Sequence, residues 1–442
     1  MDMNKEAMFE EISRIMQEDM APTMGCTGPI SYIFSAAAAR ELAGGTEVRR
    51  VRCQASGKFC ARMGEVVTPG LPEDSLEIAC AAGAVAGNTA KKFEVIKDIT
   101  PEETALAQKL AHTVVEVIPD WDAPELVYMD TTVETEEGTG RVIIRGGMLN
   151  IVYKEKNGEV LYSADYSAAK GEKNPISKYT IADLYTFCHE VPMEKLAFLR
   201  DATACNVKVG KFGMEHDLGA GLGYHFSEIA KASNDPIDRV KAICTAACEA
   251  RMVGIGMKVL SISNKGNLGI ATILPTYALA QELGKSEEEA IRAVALACLL
   301  SIRISVRIGG GTPIFCSCLL AACQAAAAGY VMLHGGDAAA VERAIQNCLP
   351  ATFGACCDGP RNACAMRMIA AVGTGYDAAK LALLGVEVPV NEGMIGVTSE
   401  DTVDVLEYMS GHLDEMNTAL MKKIVEKRPL TPPTEKKPLP AY

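Results

Sequence analysis

Apolar residues recur every three or four positions over 5–20, "KEAMFEEISRIMQEDM", the spacing of an amphipathic helix. A denser apolar run, "PISYIFSAAAARELA" (29–43), predicts a more deeply buried helix that Gly44-Gly45 ends. The period then changes. "EVRRVRCQ" (47–54) alternates as a strand does, and a helical pair follows across 72–112. "TVVEVIPDW", "ELVYMDTTVET", "GRVIIRGG" and "LNIVYKEKNGEVLYSA" are β-branched and alternating, with hairpin signals at Glu137-Gly138 and Asn157-Gly158. Residues 46–165 therefore read as a mixed α/β unit.

After "AAKGEKNP" the helical period returns and holds to about 427, through "TIADLYTFCHEV", "DPIDRVKAICTAACEARM" and "SEEEAIRAVALACLLSIRI" among others. The close, 428–442, is rich in proline and charge and reads as an extended tail. No internal repeat is visible. The pattern predicts an α+β protein: a mostly helical domain made of 1–45 and 166–427, with the α/β unit 46–165 inserted after its second helix.

With 442 residues the chain has material for two or three cores. Alanine and glycine replace bulk, and only 5% of residues are aromatic, which suits closely packed helices. Forty-three basic against 56 acidic residues give a net charge of −13, which argues against nucleic acid, whose phosphates call for clustered Lys and Arg. The start, "MDMNKEAMFEEISRIMQEDM", lacks the basic-then-apolar order of a signal peptide. The longest apolar stretch, "LLAACQAAAAGYVML" (319–333), is too short and interrupted to span a bilayer and is expected as a buried helix. A cytoplasmic protein with no membrane partner is expected. Sixteen cysteines without an export signal then read as apolar filler, metal ligands or nucleophiles, not as a disulfide framework. Cys244 and Cys248, four apart on one helical face, read as packing with a metal pair as the alternative, and Cys298 and Cys323 read as packing.

Cys-x-Gly-Pro occurs twice, in "MGCTGP" (24–29) and "CCDGPRNAC" (356–364). Proline favours the first position of a helix, so each cysteine is expected just ahead of a helix N-terminus, where unpaired N–H groups and the dipole favour a thiolate. "TPIFCSCLLAA" (312–322) repeats the idea with Cys316 and Cys318. Three such ends aimed at one point would make a soft, thiolate-ligated metal site. The spacing matches neither ferredoxin runs nor zinc ribbons, so turn-and-cap chemistry around inert cysteines stays open as the alternative.

From about residue 17 to 425 the order of segments resembles the L-cysteine desulfidase family, which is related to the catalytic subunit of iron–sulfur L-serine dehydratases. The likeness is carried by "MGCTGPISYIFSAAAA", "VVTPGLPED", "GGMLNIVY", "TIADLYTFCHEVPMEKLAFLRDA", "SNKGNLGIATILP" and "CCDGPRNACAMRM". The resemblance implies a [4Fe–4S] cluster on Cys26, Cys316 and Cys357 with one iron open to substrate. Cys318 competes with Cys316, and Cys364 is expected as packing. It also implies elimination from a small L-amino acid, L-cysteine giving pyruvate, ammonia and sulfide. The chain departs from the family pattern where polar groups would hold substrate: Gly28 replaces an acid, Lys58, Ala61 and Arg62 replace an Asn…Lys-Asn stretch, and Met148-Leu149 replace His-Thr. A homodimer is expected, and no segment marks a Schiff-base lysine.

"SNKGNLG" (263–269) would place Asn264, Lys265 and Asn267 around a substrate carboxylate, or it is an ordinary turn. Thr27 and Asp358 either orient substrate and accept its proton or cap helices starting at Pro29 and Pro360. Arg307, with Arg303 four residues before it, would clamp the carboxylate or serve internal pairing. "DLGAGLGYH" (217–225) lacks the dinucleotide-binding spacing, and the six histidines are dispersed. The expected function is an iron–sulfur lyase acting on L-cysteine. The alternatives are L-serine dehydration, or a non-catalytic protein of the same fold that binds a small acid or a metal.

Overall fold

A computed structural model describes residues 3–24, 27–68, 70–164, 174–308, 314–427 and 439–440. The N-terminal half runs α1 (Met3–Asp19), β1 (Met20–Met24), α2 (Thr27–Ala43), β2 (Val48–Ser56), α3 (Gly57–Met63), α4 (Leu76–Ala86), α5 (Pro101–Ala111), β3 (Val115–Asp120), β4 (Tyr128–Thr135), β5 (Thr139–Arg145), β6 (Ile151–Lys156) and β7 (Glu159–Ser163). Helices then dominate: α6 (Ile181–Glu190), α7 (Met193–Leu196), α8 (Phe198–Glu215), α9 (Leu222–Ala232) and α10 (Pro236–Met252). After β8 (Lys258–Ile262) come α11 (Gly266–Glu282), α12 (Glu287–Arg307), α13 (Leu320–Leu333), α14 (Ala338–Thr352), α15 (Cys364–Leu383), α16 (Ser399–His412) and α17 (Asp414–Lys427). The mixed α+β class is as the sequence pattern predicts; the tail expected over 428–442 lies outside the described residues apart from 439–440.

The sheet has the order β3-β2-β4-β5-β6-β7, antiparallel throughout except that β3 runs parallel to β2. Along β4 buried and partly exposed positions alternate, as period-two patterning requires when one face is covered. The cover is α2. It approaches so closely that a Cβ at Gly140 of β5 would fall 2.0 Å from the Ala39 carbonyl oxygen, and one at Gly83 of α4 would fall 2.1 Å from that of Ile33. Asn157 (φ 51°) and Gly158 (φ 85°) turn the β6–β7 hairpin in the left-handed conformation the Asn-Gly pair predicts.

Two cores result. One gathers side chains of α1, β8 and the helices from α6 to α16; the other gathers the sheet with α2, α3 and α4. The boundary expected at residues 45–46 is therefore displaced: α2, expected in the helical domain, buries Tyr32, Ile33 and Ala36 in the α/β core. The apolar run 319–333 becomes α13, buried on nearly every face. Two strands were not foreseen. β1 pairs antiparallel with β8, Met20 facing Ile262, and this ribbon ends beside the 263–265 turn.

Two expected helix starts also move. The helix after "CCDGP" begins at Cys364, not at Pro360, and the one after Cys316 begins at Leu320. The cause of the first is docking: the Arg361 guanidinium donates to the carbonyls of Arg62 (2.9 Å) and Ala61 (3.0 Å) at the end of α3, holding the chain out of helix.

Candidate active site

Residues 314–316 and 355–357 form a short antiparallel contact that builds the site. The Cys316 amide donates to the Ala355 carbonyl at 2.7 Å, and the Cys357 amide donates to that of Ile314 at 2.7 Å, flanking a bridge between Phe315 and Cys356. The Cys316 carbonyl accepts the Leu320 amide at 2.8 Å, so this cysteine stands at the mouth of α13. The pairing brings Cys357 within hydrogen-bonding reach of Cys316, and Cys318 reaches it as well.

Arg367, on the first turn of α15, locks the pair in place. One terminal nitrogen donates to Cys316 Sγ at 2.9 Å and the other to Asp358 Oδ1 at 2.7 Å. Gly359 lets the loop turn. Its φ is 99°, and a Cβ there would lie 2.5 Å from the Arg62 carbonyl oxygen, so both conformation and space demand glycine.

Cys316, Cys318 and Cys357 line a cavity of about 120 Å³ together with Cys364, whose Sγ accepts the Arg361 amide at 3.4 Å. Cys364, expected as packing, is thus part of the wall. Four basic side chains, Arg62, Arg251, Lys265 and Arg367, also line it, and no carboxylate among the described residues does. Sequence reasoning missed Arg251 and Arg367. A charged residue ending the apolar helix "KAICTAACEARM" was the available signal for Arg251, since buried charge is costly without a purpose.

Asn264, Lys265 and Asn267 all reach this cavity. Ser263 (φ 48°) and Asn264 (φ 58°) form a tight left-handed turn, tied down where the Ser263 amide donates to Asp19 Oδ2 at 2.7 Å. Burial raises the Asp19 carboxyl above its ordinary value. Lys265 Nζ donates to Ser305 Oγ (3.1 Å) and Ser317 Oγ (3.2 Å), and burial pulls its ammonium down to about 8. Asn267 Oδ1 accepts from Arg251 Nη1 at 2.9 Å, and its Nδ2 donates to Met252 Sδ at 3.3 Å, so the amide is held from both ends.

Other expected site residues go elsewhere. Asp358 does not line the cavity and caps no helix; its carboxylate is paired with Arg367 and faces a separate cleft of about 570 Å³. Arg307 is spent on Glu400 (3.1 Å), Asp404 and Glu407 (2.5 Å) of α16, while Arg303 pairs with Glu400 at 2.8 Å. The two arginines share a face as expected, and that face fastens α16 and does not line the thiol cavity. Cys26 lies outside the described residues, as does the Thr27 side chain. Gly28, two positions beyond Cys26, lines the cavity.

The thiols are not the dipole-stabilised thiolates expected. Hydrogen bonding with Cys318 heads the causes that push the Cys316 thiol up to about 11; contact with Cys316, then burial, raises that of Cys357. Neutral, adjoining thiols ringed by basic groups still suit a soft metal, which displaces their protons on binding. Among the described residues no three His, Cys, Asp or Glu side chains are grouped as a metal site, the third expected ligand being Cys26. Nor is any helix among them long and apolar enough to cross a membrane.

A family model described as serine dehydratase alpha chain matches residues 90–421. The chain belongs to the serine dehydratase alpha chain family. Within it, the chain is 31% identical over 411 residues to a UPF0597 protein of Clostridium tetani, covering 92% of this chain and 95% of that one. A UPF0597 protein of Chromobacterium violaceum is 30% identical over 427 residues, covering 95% and 98%. For this member of the serine dehydratase alpha chain family, the thiol-lined cavity falls inside the matched region on its α11, α13 and α15 sides, and on its Gly28 and Met63 side before it.

Proposed function

We propose that the chain is an iron–sulfur-dependent lyase that eliminates the β-substituent of a small L-amino acid, L-cysteine giving pyruvate, ammonia and sulfide. The observation carrying this reading is Cys316 held against Cys357 on the wall of a small cavity with four basic side chains. Cys316 and Cys357 would hold a [4Fe–4S] cluster together with Cys26, and Cys318 is the alternative to Cys316. When bound, such a cluster supplies a Lewis-acidic open iron. The four basic groups offset the negative charge of thiolate ligands and of a substrate carboxylate in a buried site.

Asn267, fixed by Arg251, and Asn264 orient the carboxylate. Lys265, buried and pulled down to about 8, exchanges a proton near neutral pH, as removal of the substrate α-proton requires. Loss of that proton and of the β-thiol leaves an aminoacrylate, and water converts it to pyruvate and ammonia. The family description favours a second reading, the same elimination from L-serine.

Anaerobic purification tests both. The protein is expected brown, absorbing near ~400 nm with about four irons per chain, and releasing sulfide from L-cysteine. Colourless, iron-free protein after reconstitution overturns the reading. Pyruvate from L-serine without sulfide from L-cysteine favours the second.

A further inference from the structure

The cavity lies where the two cores meet, and its lining divides by origin. Arg251 of α10, Asn264 and Lys265 just ahead of α11, Asn267 of α11 and Arg367 of α15 belong to the helical core, whereas α2, α3 and the β5–β6 loop contribute Gly28, Arg62, Met63 and Met148. Both thioethers are held by specific contacts. Met63 Sδ occupies the space that a side chain at position 28 would need, 2.1 Å from where a Gly28 Cβ would stand. Met148 Sδ accepts a hydrogen bond from the fully buried Ser31 hydroxyl at 3.2 Å. A thioether donates no hydrogen bond and accepts only weakly, yet it is polarizable and packs well on sulfur. Packed on the two thioethers, a β-hydroxyl gets no replacement from them for its water hydrogen bonds, whereas a β-thiol, a weak hydrogen-bonder, gives up little.

We propose that Met63 and Met148 form the pocket for the substrate's β-substituent and select a thiol over a hydroxyl. The assignment rests on reading the cavity as the elimination site. Because thiolate is also the better leaving group, the test compares ratios between variants. In anaerobically prepared, iron-loaded full-length protein, Met148→Gln puts a hydrogen-bonding amide on the wall at a half-buried position. It is expected to lower the cysteine-over-serine ratio of kcat/KM by about tenfold or more, whereas Met148→Leu keeps that ratio within about twofold. Calorimetric binding of 3-mercaptopropionate and 3-hydroxypropionate is expected to move in the same direction, free of any leaving-group effect. Met63→Gln tests the second thioether, with iron content and circular dichroism reporting on folding. If wild-type protein prefers cysteine and folded, iron-loaded Met148→Gln keeps that preference in both assays, the assignment falls and the function stands. Wild-type protein that acts on neither amino acid overturns both, and wild-type protein that prefers serine overturns the assignment.

Discussion

Arg367 donates to Cys316 Sγ at 2.9 Å, a charge-assisted contact between the first turn of α15 and a sulfur at the mouth of α13. The other arm of the same guanidinium holds Asp358, so one side chain positions both the thiol and the loop that carries Cys357. Arg367→Gln is expected to lower kcat/KM about 10–100-fold and to reduce bound iron, the usual cost of losing a group that orients a ligand. Asp358 acts through that arginine, so Asp358→Asn is expected to cost less than about tenfold; a proton-transfer role would cost about 10²–10⁴-fold. Iron per chain and steady-state kinetics of the two variants check this.

Much of the fold was legible because its elements are long and strongly periodic. α2, the alternating strands and the Asn157-Gly158 turn all stand where apolar spacing and turn chemistry put them. Domain membership of α2 was not legible, because an Ala-rich helix shows no preference for one core until Gly83 and Gly140 reveal what it packs against. The site was legible in part. Cys357 announced itself through its Gly-Pro step and Cys316 through a looser Thr-Pro start, whereas Arg62, Arg251 and Arg367 come from separate segments and meet only through tertiary packing. Pro360 misled in the same way: the bonds that hold its loop out of helix go to carbonyls at positions 61 and 62, which no local pattern announces.

Arg307 supplies a prediction that separates structure from catalysis. Its three carboxylate partners on α16 are partly exposed, so the cluster is worth about 1 kcal/mol and weakens with salt. Arg307→Ala is expected to lower the melting temperature by a few degrees at most and to leave KM within about twofold of wild type. A large rise in KM would return this arginine to the substrate.

Lys265 gives a pH dependence of stability. Its ammonium falls from 10.5 to about 8 because burial disfavours the charged form. Between those two values the unfolded chain binds the proton and the folded chain does not, so this group's contribution to stability rises with pH across that window. Below about 8 both states are charged and the whole penalty is present, about 3–4 kcal/mol at 1.4 kcal/mol per pH unit. Iron-free Lys265→Met is therefore expected to be more stable than wild type at pH 7, with the difference shrinking toward pH 10. Urea denaturation of both proteins across that range measures it, and a difference that grows with pH would refute the burial argument.

Gly359 couples backbone strain to the site, and a second glycine provides the comparison. Gly335 also has positive φ, 76°, but a Cβ there would meet nothing within 4 Å. Gly335→Ala is expected to cost about 1 kcal/mol from conformation alone. Gly359→Ala adds a clash with the Arg62 carbonyl oxygen, a backbone atom that has no rotamer to move into. Relief requires the loop to lift from α3, which breaks the Arg361 bonds to Ala61 and Arg62 and carries Cys357 away from Cys316. Gly359→Ala is expected to lose at least about 2 kcal/mol, strain and lost hydrogen bonds together, along with most of its iron. Equal stability of the two variants, or full iron in Gly359→Ala, would show that the loop does not need its seat on α3 to present Cys357.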